Sequence, residues 1–132
     1  MSARAMSKKS PSEAIPSEDR EQAWLVSDWR QSRLERIFHI PNGGKRGKKE
    51  AQRMKLSGVS PGVPDLHIPE LALWIEMKRQ KGGRLSEDQK DWKEYLEGIG
   101  HTVLVCRGYA DAVRQLADMG IQLQGKYMTP PF

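Results

Sequence analysis

Apolar residues fall along the chain in short, separated sets, and their spacing predicts the elements. Leu25 and Trp29 share a stripe with Glu18 and Gln22, which predicts a helix with one face turned inward. Ser17 can cap that helix, and Glu18 and Asp19 suit its positive end, so it should run from Ser17 to about Arg36. Ile37 to Ile40 is an apolar run stopped by Pro41 and reads as a strand, with a turn at Asn42-Gly43-Gly44. Lys45 to Leu56 is helix-prone and ends near Gly58. A stiff Pro- and Gly-containing connector follows, then a strand from Asp65 to Ile68, a turn at Pro69-Glu70 and a strand from Ala72 to Lys78. The last two strands predict an antiparallel hairpin. Ser86-Glu87-Asp88-Gln89 has the form of a capping box, opening a helix to about Glu97. Thr102 to Cys106 is apolar and β-branched, and Tyr109 to Met119 is a final helix stopped by Gly120.

Strands alternate with helices late in the chain, which predicts an α/β fold with a mixed sheet flanked by helices. A length of 132 residues suits one domain with one modest core. Residues 1–16, rich in Ser, Lys, Pro and Ala, read as a disordered arm, 17–120 as the folded domain and 121–132 as a loose tail. One cysteine, Cys106, excludes a disulfide framework and any multi-thiolate metal site. No stretch approaches the roughly 18 apolar residues of a membrane helix. The first residues lack the apolar region of a secretory signal. The expected setting is therefore cytoplasmic, with no membrane partner.

Charge sharpens the picture. The formal net charge is +5, yet Arg30 to Lys55 alone holds nine basic residues against Glu35 and Glu50. Lys78, Arg79, Lys81 and Arg84 form a second basic group. Clustered like charge repels itself and suits a polyanionic partner. The basic run lacks the matching apolar stripe that a membrane-surface helix needs.

The segment Ala72–Lys78 carries the candidate chemistry. Alternation points Leu73, Ile75 and Met77 one way and Trp74, Glu76 and Lys78 the other. A hairpin can place Asp65 beside Glu76. Two carboxylates that close repel unless a cation or a proton relieves them. Oxygen donors without nearby thiols suit Mg²⁺ or Mn²⁺. Such an ion can neutralise a phosphodiester and lower the pKa of a bound water. Lys78 can orient that water, stabilise developing charge, or simply pair with Glu76. A third acid can come from the first helix, where Glu18 lies on the inward stripe and Glu21 is rotated off it. Glu18 is preferred, and Glu21 stays open.

Gly62-Val63-Pro64-Asp65-Leu66, followed by Leu73-Trp74-Ile75-Glu76-Met77-Lys78-Arg79, resembles the PD-(D/E)xK nuclease motif. More narrowly, the chain is similar to stand-alone VRR-NUC domain proteins of the kind carried by phages and prophages. The likeness extends through His39–Arg46, Leu85–Trp92 and Val103–Gly108, and Glu18–Gln22 is similar to the family's Glu-x-x-x-Gln helix. The resemblance implies a restriction-endonuclease-like fold and divalent-metal cleavage of DNA, with Mg²⁺ or Mn²⁺ as cofactor. It implies Asp65 and Glu76 as metal ligands, the Met77 carbonyl as a further ligand, Lys78 as the catalytic lysine and Glu18 as the helix-borne acid. It also implies a homodimer acting on branched, Holliday-junction-like DNA, in the host-cell cytoplasm for a phage-encoded protein.

DNA contact is expected from His39, Asn42, Lys45, Arg46, Lys48, Lys49, Arg53, Arg79, Lys81 and Gln89. His67 shares the face of Asp65 but reads better as packing. Trp24, Trp29, Trp74 and Trp92 read as core or dimer surface. The rival from another class is a non-catalytic DNA-binding module that keeps only the fold. An RNA-directed nuclease shares all of this chemistry.

Overall fold

The computed structural model describes residues 15–41 and 48–128. Within them the chain runs α1 (Glu18–Gln31), β1 (Phe38–His39), α2 (Lys48–Leu56), β2 (Leu66–Ile68), a 3₁₀ turn (Pro69–Leu71), β3 (Leu73–Lys78), α3 (Glu87–Gly98), β4 (Thr102–Arg107) and α4 (Tyr109–Asp118). The sheet order is β1-β2-β3-β4. The first two pairings are antiparallel and the last is parallel, so α3 is the crossover from β3 to β4. The expected mixed sheet flanked by helices is what forms.

Side-chain alternation divides the sheet into two faces. Leu66, Ile68, Leu73, Ile75, Met77 and Cys106 form one core with Leu25 and Trp29 of α1 and Ala112 and Leu116 of α4. The opposite face of β3 presents Trp74, Glu76 and Lys78, and the start of α3 lies against it. Ser17 and Ser86 cap α1 and α3, and Ser86 with Gln89 makes the full capping box expected from the sequence.

Three details depart from the sequence reading. First, α1 ends at Gln31 and not near Arg36. Ser32 Oγ accepts from the Gln124 N–H at 2.7 Å, and Arg33 takes a left-handed φ of 55°, which no continuing helix allows. Second, the run Ile37–Ile40 pairs only over Phe38–His39. Third, 121–128 is not loose. Leu123 is buried, Tyr127 stacks on Trp24 with ring centroids 5.4 Å apart, and its N–H donates to Asp28 at 3.1 Å.

Two acids of α1 are buried as structural groups. Asp28 accepts from the Tyr109 hydroxyl at 2.5 Å. Glu21 accepts from the Tyr109 N–H at 2.8 Å and so satisfies the first turn of α4. Gly108, at φ 95°, permits this approach, since a Cβ there would lie 2.8 Å from Glu21 Oε1.

Candidate active site

The hairpin register sets the site. Leu66 pairs with Ile75, so the residue before Leu66 meets the residue after Ile75, which brings Asp65 to Glu76. Asp65 is fixed from three sides. Its Oδ2 accepts from the Met77 N–H at 2.8 Å, its carbonyl accepts from the Ile40 N–H at 2.8 Å, and His39 Nδ1 lies 2.9 Å from the same carbonyl. Its carboxyl also shares a hydrogen bond with that of Glu76.

Glu76 is 3% exposed and Lys78 7%, both on the face of β3 away from the α1–α4 core. Burial, reinforced by the charge of Asp65, pushes the Glu76 carboxyl up to about 8, with Lys78 opposing the shift. Burial also raises Asp65, although the Met77 N–H and Glu76 pull it back. The two carboxylates therefore hold a proton between them unless a cation takes its place. Lys78 Nζ lies 3.4 Å from Glu76 Oε2 and 2.8 Å from Gln89 Oε1.

Glu18, in the first turn of α1, completes the edge of the site. Burial raises its carboxyl, Lys78 lowers it, Asp65 raises it, and the Arg79 backbone N–H donates to it. Its field is thus that of the Asp65–Lys78 group. Glu21 instead points to α4 and to Gln80, whose Nε2 donates to it at 3.2 Å. Glu18, and not Glu21, thus lies beside the other acids, but the expected stripe is not the reason: Glu21 is fully buried and taken up by α4, while Glu18 is half-buried at the open end of the helix.

A divalent cation suits these donors. Among the described residues no three His, Cys, Asp or Glu side chains are gathered as a ready cage. What exists is a buried carboxyl, Glu76, beside the half-buried one of Asp65, with a third acid near. Mg²⁺ is held in this way elsewhere, by one or two carboxylates with waters and substrate phosphate completing its shell. Burial raises both carboxyls, and the charge of Asp65 raises Glu76 further, so positive charge beside Glu76 would relieve the site. The Met77 carbonyl lies on β3 between Glu76 and Lys78.

The remaining expected residues scatter. His39 is exposed, and its Nδ1 lies 3.1 Å from Gln22 Nε2 as well as 2.9 Å from the Asp65 carbonyl, so it serves one partner or the other according to its tautomer; the sequence reading assigned Gln22 no role here. Lys49 and Arg53 are exposed on α2, and Lys81 is exposed in the turn after β3. Arg79 follows β3, its N–H on Glu18. Lys48 opens α2. Gln89 has both ends of its amide engaged inside the protein. Asn42, Lys45 and Arg46 lie outside the described residues. His67 stacks on Trp74 at 3.7 Å, as packing. A cavity of about 860 Å³ opens at the far end of α1 among Arg30, Arg33, Arg36, Glu35 and Glu70, away from the paired carboxylates.

The VRR-NUC domain family matches residues 13–110, a span that takes in α1, the whole sheet and the start of α4. A solved structure described as a VRR_NUC domain protein is similar with a TM-score of 0.62 at 24% identity, covering 78% of this chain and 87% of that one. At that identity the likeness is one of fold. No curated protein matches the chain.

Proposed function

The chain belongs to the VRR-NUC family, a family of nuclease-type domains, and from that premise we propose that it is a divalent-metal-dependent endonuclease hydrolysing DNA phosphodiester bonds. The observation that carries this reading is buried Glu76 beside half-buried Asp65, with Lys78 on the same strand face, in a chain whose other basic residues suit a polyanion. Asp65, Glu76 and the Met77 carbonyl would hold Mg²⁺ or Mn²⁺, with Glu18 at the edge. When bound, the ion supplies charge neutralisation at the phosphate and a water of lowered pKa.

The protein's own groups do the rest. Lys78 brings a fixed positive charge to the face where the phosphate must sit, so it favours the extra negative charge of the five-coordinate phosphorus more than that of the substrate. Its ammonium is already desolvated and oriented, which avoids reorganisation during the reaction. Lys49, Arg53 and Lys81 are exposed and suited to phosphate contacts that set register without reading sequence. Branched DNA as the preferred substrate and a homodimer as the working form complete the proposal; both follow the family resemblance.

The test is cleavage of four-way, forked and linear DNA in Mg²⁺, Mn²⁺ or EDTA. Cutting is expected with either ion and none in EDTA. Glu76→Ala and Lys78→Ala are each expected to lower the rate by about 10²-fold or more while DNA affinity stays within a few-fold. A protein that binds DNA equally in all variants and never cuts would be the non-catalytic module instead.

A further inference from the structure

The Gln89 amide meets three groups at once. Its Oε1 accepts from the Ser86 N–H at 2.8 Å and from the Lys78 ammonium at 2.8 Å, and its Nε2 donates to Glu76 Oε2 at 3.1 Å. Two donors face the oxygen and one acceptor faces the nitrogen, so chemistry dictates which way the amide points. The backbone behind it is equally fixed. The Gln89 N–H donates to the Ser86 hydroxyl at 3.1 Å. On the other side, Gly62 presses so closely on α3 that a Cβ there would fall 2.5 Å from Asp88 C and O. The helix cap is thus also a bracket reaching into the acidic site.

We propose that Gln89 is a positioning residue: its amide shares the Lys78 ammonium with Glu76, so that their ion pair stays loose, and orients that carboxylate for a divalent cation, without touching DNA. Lys78 is closer to Gln89 than to Glu76, 2.8 Å against 3.4 Å. Remove the amide, and the ammonium is left to its ion pair with Glu76, which it then neutralises more fully in competition with a metal ion. Partners behind metal ligands typically change affinity or activity about 10- to 100-fold. The consequence for turnover rests on the nuclease reading; the consequence for metal affinity does not.

The experiment compares wild type, Q89L, Q89E and S86A by kcat and KM on DNA in Mg²⁺, and by Mn²⁺ calorimetry without DNA. Q89L is expected to lower kcat about 10- to 100-fold, to leave KM within about threefold, and to weaken Mn²⁺ binding about tenfold. S86A removes the other half of the same capping box, so it should melt lower yet keep kcat and Mn²⁺ affinity near wild type. Should Q89L not fold, Q89E carries the test. Glutamate still fills a capping box and accepts from Lys78, but it sets a like charge on Glu76 and should lower kcat. Unchanged kcat in the folded Gln89 variant overturns the proposal and leaves the nuclease reading standing, and so does an equal kcat loss in S86A. If wild type cuts no DNA, the nuclease reading falls and Mn²⁺ affinity decides alone. Weaker binding in Q89L upholds the positioning role; equal binding, or none in any form, overturns it.

Discussion

Glu76 is a carboxyl kept from water by its own strand, by α3 and by a second acid. A buried acid of this kind gives the fold a pH dependence opposite to that of a salt-bridged one. Its ordinary value is 4.5 and its folded value about 8. Below the lower value both states carry the proton and the site costs nothing. Between the two, the unfolded chain releases the proton and the folded chain keeps it, so stability falls as pH rises, and the loss is complete above about 8. Asp65, also raised, acts in the same direction. In EDTA, the melting temperature is expected to drop by roughly 5 °C or more from pH 5 to pH 8 beyond what Glu76→Gln shows, measured by thermal unfolding of both proteins. A variant that tracks wild type at every pH would mean Glu76 ionises freely. This juxtaposition was legible in the sequence, because period-two alternation and a hairpin turn are local facts. The burial of Glu21 and Asp28 was not, because their partner Tyr109 lies 88 and 81 positions away.

At the scale of elements, the connector before β2 and the start of α3 form one unit. Gly62, at φ 93°, sits three residues before Asp65 and against Asp88, the neighbour of Gln89. Gly62→Ala combines a strained φ with a backbone collision, so both sides of the site must shift. Gly58 has a similar φ of 104° but nothing within 4 Å. Gly62→Ala is therefore expected to lose about 1–3 kcal/mol more than Gly58→Ala in denaturant unfolding, and to cut DNA more slowly. Equal losses would show that the contact with Asp88 yields freely. The same scale explains where the sequence misled. Periodicity carries α1 past Gln31, but Arg33 adopts its left-handed φ beside a Ser32 bonded to Gln124, and no local pattern encodes a contact of that span.

Over the whole molecule, the exposed cations differ in whether they are already paired. Lys49 and Arg53 are exposed on α2, while those of α3 are tied into ion pairs such as Lys90 with Glu87 at 3.2 Å. In Ca²⁺, DNA binding is expected to weaken linearly in log–log salt titrations. Lys49→Ala and Arg53→Ala should each reduce the slope by about 1, and Lys90→Ala should leave it unchanged. Fluorescence anisotropy across a salt series reads this directly; equal slopes in all three variants would remove α2 from the DNA surface. The molecule is also closed in an unusual order. The helix that bears Glu18 is fastened by Gln124 and Tyr127, which follow their partners Ser32 and Asp28 by 92 and 99 positions. A ribosome releases the chain from its first residue onward. The acidic turn thus reaches the cell well before the segment that clasps its helix, and α1 gains these two fastenings only once residue 127 has left the exit tunnel.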